Sequence, residues 1–319
     1  MFNILIIFNI SEAYSSSNVC PSYKNERENV GGTKETYIFL WYVANTITYR
    51  QLGNLFGICD KTAWCIIQRM STWLVSISDT FIKWPRTPEE INQITLGFEA
   101  MKGISGVLGA IDGTHIKIRA PSGKAHLYTN RKKYCSIIMQ AVVDDRKKFI
   151  DVHCGEPGSF HDCRVLRRSI LYRAANQEYG VYFPSDTFLL GDCAYGPRRW
   201  LVPPYKDTGN LTQNQHKYNH LLSSTRMVVE NAFGLLKTRF RRIMHFTEHL
   251  KIEQVINITI ACCVLHNLCE DQQDYWDLDI NYSEDDDLTG ETSDSNIISI
   301  RAHDRLATIL NSLLEKGLL

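Results

Sequence analysis

Residues 106–118 read GVLGAIDGTHIKI, an apolar, strand-like run interrupted at its middle by Asp112. An unpaired carboxylate is costly to bury in such a run. The glycine that follows, Gly113, lets the backbone turn sharply or pass close to a ligand. Two further runs rich in Val and Ile follow, at 135–143 and 148–155, separated by the hairpin-like gap Asp144-Asp145-Arg146-Lys147. Together the three predict an antiparallel meander. Beyond it the pattern predicts a helix from His161 to about Asn176, a strand over Thr187–Cys193, an irregular stretch over Pro197–Asn219, and helices over Leu221–Arg242 and Ile252–Cys269. Three strands, a helix, a strand and two helices make a mixed α/β order, with no repeat.

Upstream the periodicity is helical. Residues 1–34 read as an irregular lead-in, and 35–83 as a helical region. Within the latter, Thr48-Tyr-Arg-Gln51 has capping-box spacing, Gly57 can end the short helix that follows, and a second helix starting near Asp60 would bury Ala63, Ile66, Ile67 and Met70. Two short helices joined by a tight turn resemble a helix-turn-helix, whose second helix would offer Lys61, Thr62, Trp64 and Arg69 to DNA. An ordinary helical bundle is the competing reading. The two prolines of Trp84-Pro-Arg-Thr-Pro88 mark a boundary, so 84–105 is expected to be a linker and helix before the α/β region at 106–270. An acidic linker at 271–297 and a C-terminal amphipathic helix at 298–319 complete the division.

The 319 residues are 44% apolar, enough for a sizeable core. Their formal charge of zero conceals an asymmetry. Residues 270–294 carry eleven acids and no Lys or Arg, so the remainder has 35 basic against 24 acidic side chains. A basic body favours polyanionic partners, nucleic acid first among them. The ten cysteines form no CxxC pair, and Cys135, Cys154, Cys193, Cys262 and Cys263 lie in apolar runs, as reduced and buried thiols of an intracellular protein would. Cys262, His266 and Cys269 share a helical face, but three such residues without a fourth read as core packing before zinc. The opening MFNILIIF lacks a basic flank, so a signal peptide is not expected, nor is a membrane span.

Two more acids sit in segments of different shape. Asp192 ends the apolar run of DTFLLGDCAYG (186–196), and Glu230 lies in the helix-like STRMVVENAFGLLKTRF (224–240). Acids drawn from distant segments into one pocket repel one another, which raises their pKa values and favours a cation. Hard ions such as Mg²⁺ need only one or two carboxylates each, and a pair about 3.5–4 Å apart can serve phosphodiester cleavage. Each acid also has a plain alternative: a strand-end cap for Asp112 and Asp192, and a surface pair with Arg226 for Glu230. Asp162, next to His161 in GSFHD, is a supporting candidate that equally suits the first turn of a helix. Phosphate-binding candidates are Lys117, Arg119, Lys124, Arg131, Lys132 and Lys133, with His126, Tyr128 and Tyr134 interleaved, and Lys237, Arg239, Arg241 and Arg242 at the end of the Glu230 helix.

These segments together resemble the DDE superfamily endonuclease domain of PIF/Harbinger transposases and of the HARBI-type nucleases related to them. The resemblance rests on GAIDGTHI (109–116), YTNRKKYCSIIMQAVVD (128–144), GEPGSFHD (155–162), LLGDCAYG (189–196), RMVVENAFGLLKTRFR (226–241) and LHNLC (265–269), in order. It implies an RNase H-like mixed sheet flanked by helices, preceded by a small helical DNA-binding region. Asp112 would lie on the first strand, Asp192 on the fourth, and Glu230 on the helix that follows. It also implies Mg²⁺ or Mn²⁺ as cofactor, DNA as substrate, cleavage by a two-metal mechanism, a nuclear location and a Myb-like protein partner; a homo-oligomer and a cytoplasmic fraction are left open by the sequence. The rival expectation is a domesticated DNA-binding protein that keeps the fold and does not cut.

Overall fold

The computed structural model describes residues 4–20, 31–245, 251–273 and 299–318. Most of the expected acidic linker, 274–297, therefore lies outside the described residues. The chain forms two compact units. One comprises Met1–Ile82, Ile116–Ile137 and Gly234–Asp279; the other comprises Lys83–His115, Ile138–Phe233 and Ile280–Leu319. The break at 82/83 falls where Trp84-Pro85 marks a boundary. The expected continuous domain at 106–270 is, however, shared between the units, because the chain leaves and re-enters each one.

The first unit is built on helices. Helix Tyr49–Phe56 opens with the capping box read from the sequence: Thr48 accepts from the Gln51 N–H and Gln51 from the Thr48 N–H. It closes on Gly57 at φ 67°, a left-handed conformation that glycine adopts without a Cβ penalty. Helix Asp60–Ser76 follows after a three-residue turn and buries Ala63, Ile66, Ile67 and Met70 completely. Each of the larger three contributes about 1.5–3 kcal/mol by leaving water. Helix Ile252–Asp271 packs along it. That helix is long and apolar enough to cross a bilayer by length and composition, which the sequence reading did not anticipate. Here most of its apolar residues from Val255 to Cys269 are buried in the unit's core, with Ile256, Ile260 and Leu268 partly exposed.

The described part of the lead-in is not wholly irregular. Residues Ile4–Ser15 form a helix that buries Ile6, Ile10 and Tyr14, and the next helix, Gly31–Ala44, starts four residues before the expected edge. Spacing of four places these three side chains on one helical face. The Tyr14 hydroxyl donates to Glu35 at 2.6 Å, and Arg69 completes the pairing of that buried carboxylate at 2.5 Å.

The second unit holds most of a five-stranded sheet in the order β3-β2-β1-β4-β5, with β1 Val107–Lys117, β2 Ser136–Val143, β3 Phe149–Pro157, β4 Phe188–Leu190 and β5 Leu201–Val202. β1, β4 and β5 run parallel. The short Asp144–Lys148 turn between β2 and β3 can only reverse the chain, as the hairpin-like gap predicts. β2 is buried along its whole length. This mixed sheet flanked by helices is an RNase H-like α/β architecture. Helix Pro88–Lys102 enters through a Thr87/Glu90 capping box and ends on Gly103 at φ 81°.

Several boundaries differ from expectation. β4 stops at Leu190, two residues short of Asp192, and β5 emerges from the stretch read as irregular. The helix expected over 161–176 divides at Ser169, whose extended backbone (φ −69°, ψ 157°) ends Asp162–Arg168 and whose side chain caps Ile170–Gln177. The helix of Glu230 runs from Gln213 to Arg239, because Phe240 (φ −117°, ψ 74°) breaks it before Arg241–Met244. The C-terminal helix spans Ser299–Glu315. Cys193 is exposed rather than buried, since the strand expected to cover it has already ended.

Candidate active site

Asp112 sits in β1 just past Ala110, the residue opposite the last residue of β4. From that point β1 has no strand on its β4 side, and a polar side chain gains room. Asp192 begins the 3-10 turn Cys193–Tyr195 and accepts the Cys193 N–H at 2.5 Å, so backbone hydrogen bonding fixes one of its oxygens. Glu230 lies midway along helix Gln213–Arg239, with its side chain 43% exposed. All three belong to the sheet-bearing unit.

Arg226 draws the acids together. Its guanidinium donates to Asp112 Oδ2 and, one helical turn away, to Glu230 Oε1, each at 2.5 Å. Glu230 was read as the Arg226 partner in the plain alternative, and that pair exists. It is not a simple surface pair, because the same guanidinium also grips β1. Burial opposes the charge on Arg226, but Asp112, Glu230 and Asp192 outweigh it and hold the guanidinium charged. Asp112 responds differently. Burial pushes its carboxyl up to about 7; Arg226 and the Gly113 N–H pull it down, while the charges of Asp162 and Asp192 raise it.

Asp162 opens the first turn of helix Asp162–Arg168 and is 9% exposed. A β-carbon on Gly113 would meet its Oδ1 at 2.7 Å, so glycine at 113 is what lets this carboxylate come up to β1. Its neighbour His161 is exposed and caps the helix with backbone geometry alone. Tyr195, which the sequence reading passed over, is 2% exposed, and its hydroxyl is buried without a hydrogen-bond partner. Burial raises the Tyr195 hydroxyl far above its ordinary value, reinforced by Asp162, Asp112 and Asp192. Its place shortly after Asp192 in GDCAYG was the available signal.

The donors suit a hard divalent cation. They are carboxylate oxygens, one of them reluctant to ionise without a positive neighbour, beside a phenol with nothing to bond. In the arrangement seen, Arg226 supplies that positive charge, and among the described residues no three His, Cys, Asp or Glu side chains stand close enough to share an ion.

The basic candidates divide sharply. Lys117, Arg119, Lys124, Arg131, Lys132 and Lys133 are all exposed, and Lys117 lies over the Tyr134 ring at 5.1 Å. Lys61 and Arg241 are exposed as well. The remaining four have other tasks. Arg69 pairs with buried Glu35, and Lys237 is only 3% exposed. Arg239 donates to Glu270 at 2.6 Å and meets His266 at 3.1 Å, all three buried. Arg242 donates to the carbonyls of Tyr42 and Ile47 and lies over the Tyr42 ring. Lys237 and Arg239 lie inward because the helix segment bearing them is core, while Arg69 and Arg242 are partly exposed and held by their partners. His266 is accordingly a core histidine held by Arg239, as the packing reading had it.

Comparison with known proteins agrees with this geometry. Residues 111–267 match the family described as DDE superfamily endonuclease. The chain is 32% identical over 229 residues to "Putative nuclease HARBI1" of Homo sapiens, covering 71% of this chain and 64% of that protein. The mouse protein of the same name is 31% identical over the same shares, and "Protein ALP1-like" of Arabidopsis thaliana is 28% identical over 238 residues, 70% of this chain and 57% of that one. The matched part thus spans less than two thirds of these relatives' length. No solved structure matches the chain significantly. An RNase H-like sheet, acids at 112, 192 and 230 in the neighbourhood of one guanidinium, and a family match across them lead to one assignment: residues 111–267 belong to the DDE superfamily endonuclease family, and the chain is similar to the HARBI1 proteins.

Proposed function

We propose that the protein is a divalent-cation-dependent DNA endonuclease of transposase origin, acting in the nucleus. The observation that carries this reading is that Asp112, Glu230 and Asp192, spread over three segments, all act on a single half-buried guanidinium. A fold that gathers acids around a cationic centre has built a place for positive charge. Asp112, Asp192 and Glu230 would hold Mg²⁺ or Mn²⁺. When bound, such an ion supplies Lewis acidity, drawing charge from a phosphodiester and making hydroxide available near neutral pH.

The chain's own groups do the rest. Asp112 must give up its proton to serve as a ligand, and Arg226 must release at least one carboxylate oxygen. The exposed cations from Lys117 to Lys133 would bind the phosphate backbone, with Tyr134 as a stacking face. Lys237, Arg239 and Arg242 have no part in this. The test is nicking of supercoiled plasmid with Mg²⁺ or Mn²⁺, wild type beside Asp192→Asn, after both are shown to bind DNA. Cation-dependent nicking by the wild type, lost in the variant, is expected. Equal nicking by both would sink the proposal, and DNA binding without nicking by either would favour the domesticated binding protein.

A further inference from the structure

The exposed bases from Lys117 to Lys133 belong to the helical unit, whereas Asp112, Asp192 and Glu230 belong to the sheet-bearing one. The sheet-bearing unit has cations of its own, which the sequence reading passed over. Between residues 149 and 205 the bases are Arg164, Arg167, Arg168, Arg173, Arg198 and Arg199, with no lysine, although lysine makes up 16 of the chain's 35 Lys and Arg residues. A solvated surface charge can be either residue. Arginine alone offers a planar fork that meets two phosphate oxygens at once.

Three of these arginines form one exposed face. Helix Asp162–Arg168 presents Arg164 and Arg168 four residues apart, on the same side. Both guanidiniums meet the Phe160 ring, at 3.7 and 5.9 Å from its centroid, which holds them in place without neutralising them. Arg168 is 57% exposed, and Glu156 accepts from its Nε at 2.8 Å, which orients the fork and leaves its terminal nitrogens to solvent. Arg173 follows, exposed, on helix Ile170–Gln177, and the ring of its neighbour Tyr172 lies under the Arg198 guanidinium at 4.9 Å. Burial lowers the basicity of His153 on β3, Glu156 raises it, and Arg168 and Arg173 lower it again, so both guanidiniums stand near one side chain. Among the described residues, Glu156 is the one carboxylate paired with any of the three. A lone surface cation needs no explanation, but guanidiniums that share one carboxylate repel one another, and a polyanion relieves that repulsion.

The face begins at the candidate active site. Asp162 heads the same helix, and a β-carbon at Gly113, beside Asp112, would meet its Oδ1 at 2.7 Å. The helix also packs on the Cys193–Tyr195 turn that Asp192 opens. At about 1.5 Å of rise per residue, Arg164 and Arg168 stand about 3 and 9 Å along the helix axis from Asp162. That is the span of about one to three phosphates of a single strand, at about 3.4 Å of duplex axis each.

We propose that Arg164, Arg168 and Arg173 form a nucleic-acid contact of the sheet-bearing unit, gripping the phosphate backbone of the strand that lies in the Asp112 site. The inference rests on the endonuclease reading for the identity of that strand. It adds that this unit holds its substrate with arginine forks of its own.

The test is binding of the full chain to a short fluorescent DNA duplex, read by anisotropy in EDTA over a series of salt concentrations. Wild type is compared with a triple variant (Arg164→Gln, Arg168→Gln, Arg173→Gln), with the triple variant carrying Lys at the same positions, and with Arg146→Gln. Arg146, 52% exposed on the turn between β2 and β3, is the control. The Gln triple variant should bind about 100-fold more weakly at about 0.15 M salt, and its slope of log K against log salt should fall by about three. The Lys triple variant should keep most of the slope, because a point charge still displaces counterions, and regain part of the affinity. Arg146→Gln should stay within about twofold of the wild type, since a charge outside the contact is largely screened. A Gln triple variant that folds and binds as the wild type does overturns the proposal. So does a Lys triple variant as weak as the Gln one, which would mark a packing role. Should the Gln triple variant fail to fold, Arg164→Gln and Arg173→Gln decide singly: each should weaken binding about fivefold, and no change in either overturns the proposal. Nicking with Mn²⁺, assayed separately, keeps the two readings apart. Binding through these arginines without nicking by the wild type sinks the nuclease and leaves the contact standing; nicking and binding both intact in the Gln triple variant does the reverse.

Discussion

Helix Gln213–Arg239 carries two arginines that each meet a carboxylate, and their surroundings could hardly differ more. Arg239 and Glu270 are each 3% exposed, and His266 adds a second partner to the same guanidinium. Arg226 and Asp112 are each 16% exposed, Glu230 is 43% exposed, and further acids surround them. In the first case a cation faces an anion, sealed from solvent, with an imidazole beside them. In the second, acids outnumber the cation. The lesson is that burial of an ion pair marks architecture, whereas an excess of one sign around a partly open pair marks a place made for a ligand.

The comparison breaks most easily at Glu270. Glu270→Ala leaves Arg239 buried without its anion and should cost about 3–5 kcal/mol in urea denaturation, with or without Mn²⁺. A loss under 1 kcal/mol would mean the sealed pair is not architectural. Arg226→Gln should cost less, about 1–2 kcal/mol, since solvent screens the partly open pair. It should also respond to Mn²⁺, which can replace the lost positive charge, so the cation-induced rise in Tm should exceed that of the wild type. An equal rise would show that Arg226 and the cation do not compete.

Proton linkage sharpens the same contrast. Asp112 has a folded-state value near 7, above its ordinary value of 3.8, so the folded chain holds this proton more tightly than the unfolded chain. Its contribution to stability is therefore present below pH 4 and is lost as pH rises toward 7. Asp144 and Asp151, each raised to about 6 chiefly by burial, act in the same direction. In the cation-free protein, Asp112→Asn should flatten the fall in Tm between pH 4 and 7, and Mn²⁺ affinity of the wild type should climb over that range. A variant with the wild-type slope would contradict the assigned environment of Asp112.

The smallest effect on stability belongs to the exposed cations. Replacing Arg131 and Lys132 with Ala should leave stability within about 0.5 kcal/mol while lowering the salt dependence of DNA binding by about one unit for each phosphate no longer neutralised. Lys237→Ala should leave that slope alone. If Lys237 proved the more important, the division between inward and outward basic residues would be wrong.

Much of this was legible in the chain. The meander around Asp112 and the capping box at Thr48 could be read because each depends on neighbours within a few residues. What could not be read depends on distant partners or on weak local patterns. β5 is only two residues long and exists because β4 lies beside it. The first turns of helix Gln213–Arg239, QNQHKYNH, are almost wholly polar and show no apolar stripe, as an exposed helix end should not. The burial of Arg239 depends on Glu270, 31 residues later, so its charge suggested a surface that does not exist. Ile6, Ile10 and Tyr14 did carry a helical period, masked by the apolar residues around them, Leu5, Ile7 and Phe8.

The most direct measurement sets the two arginine environments against each other in one assay: cation-dependent nicking of supercoiled plasmid by wild type, Asp112→Asn and a stability-matched Glu270→Gln. The account predicts nicking by the wild type, retained per folded molecule in Glu270→Gln and lost in Asp112→Asn although that variant still folds and binds DNA. Nicking that survives in Asp112→Asn would contradict it.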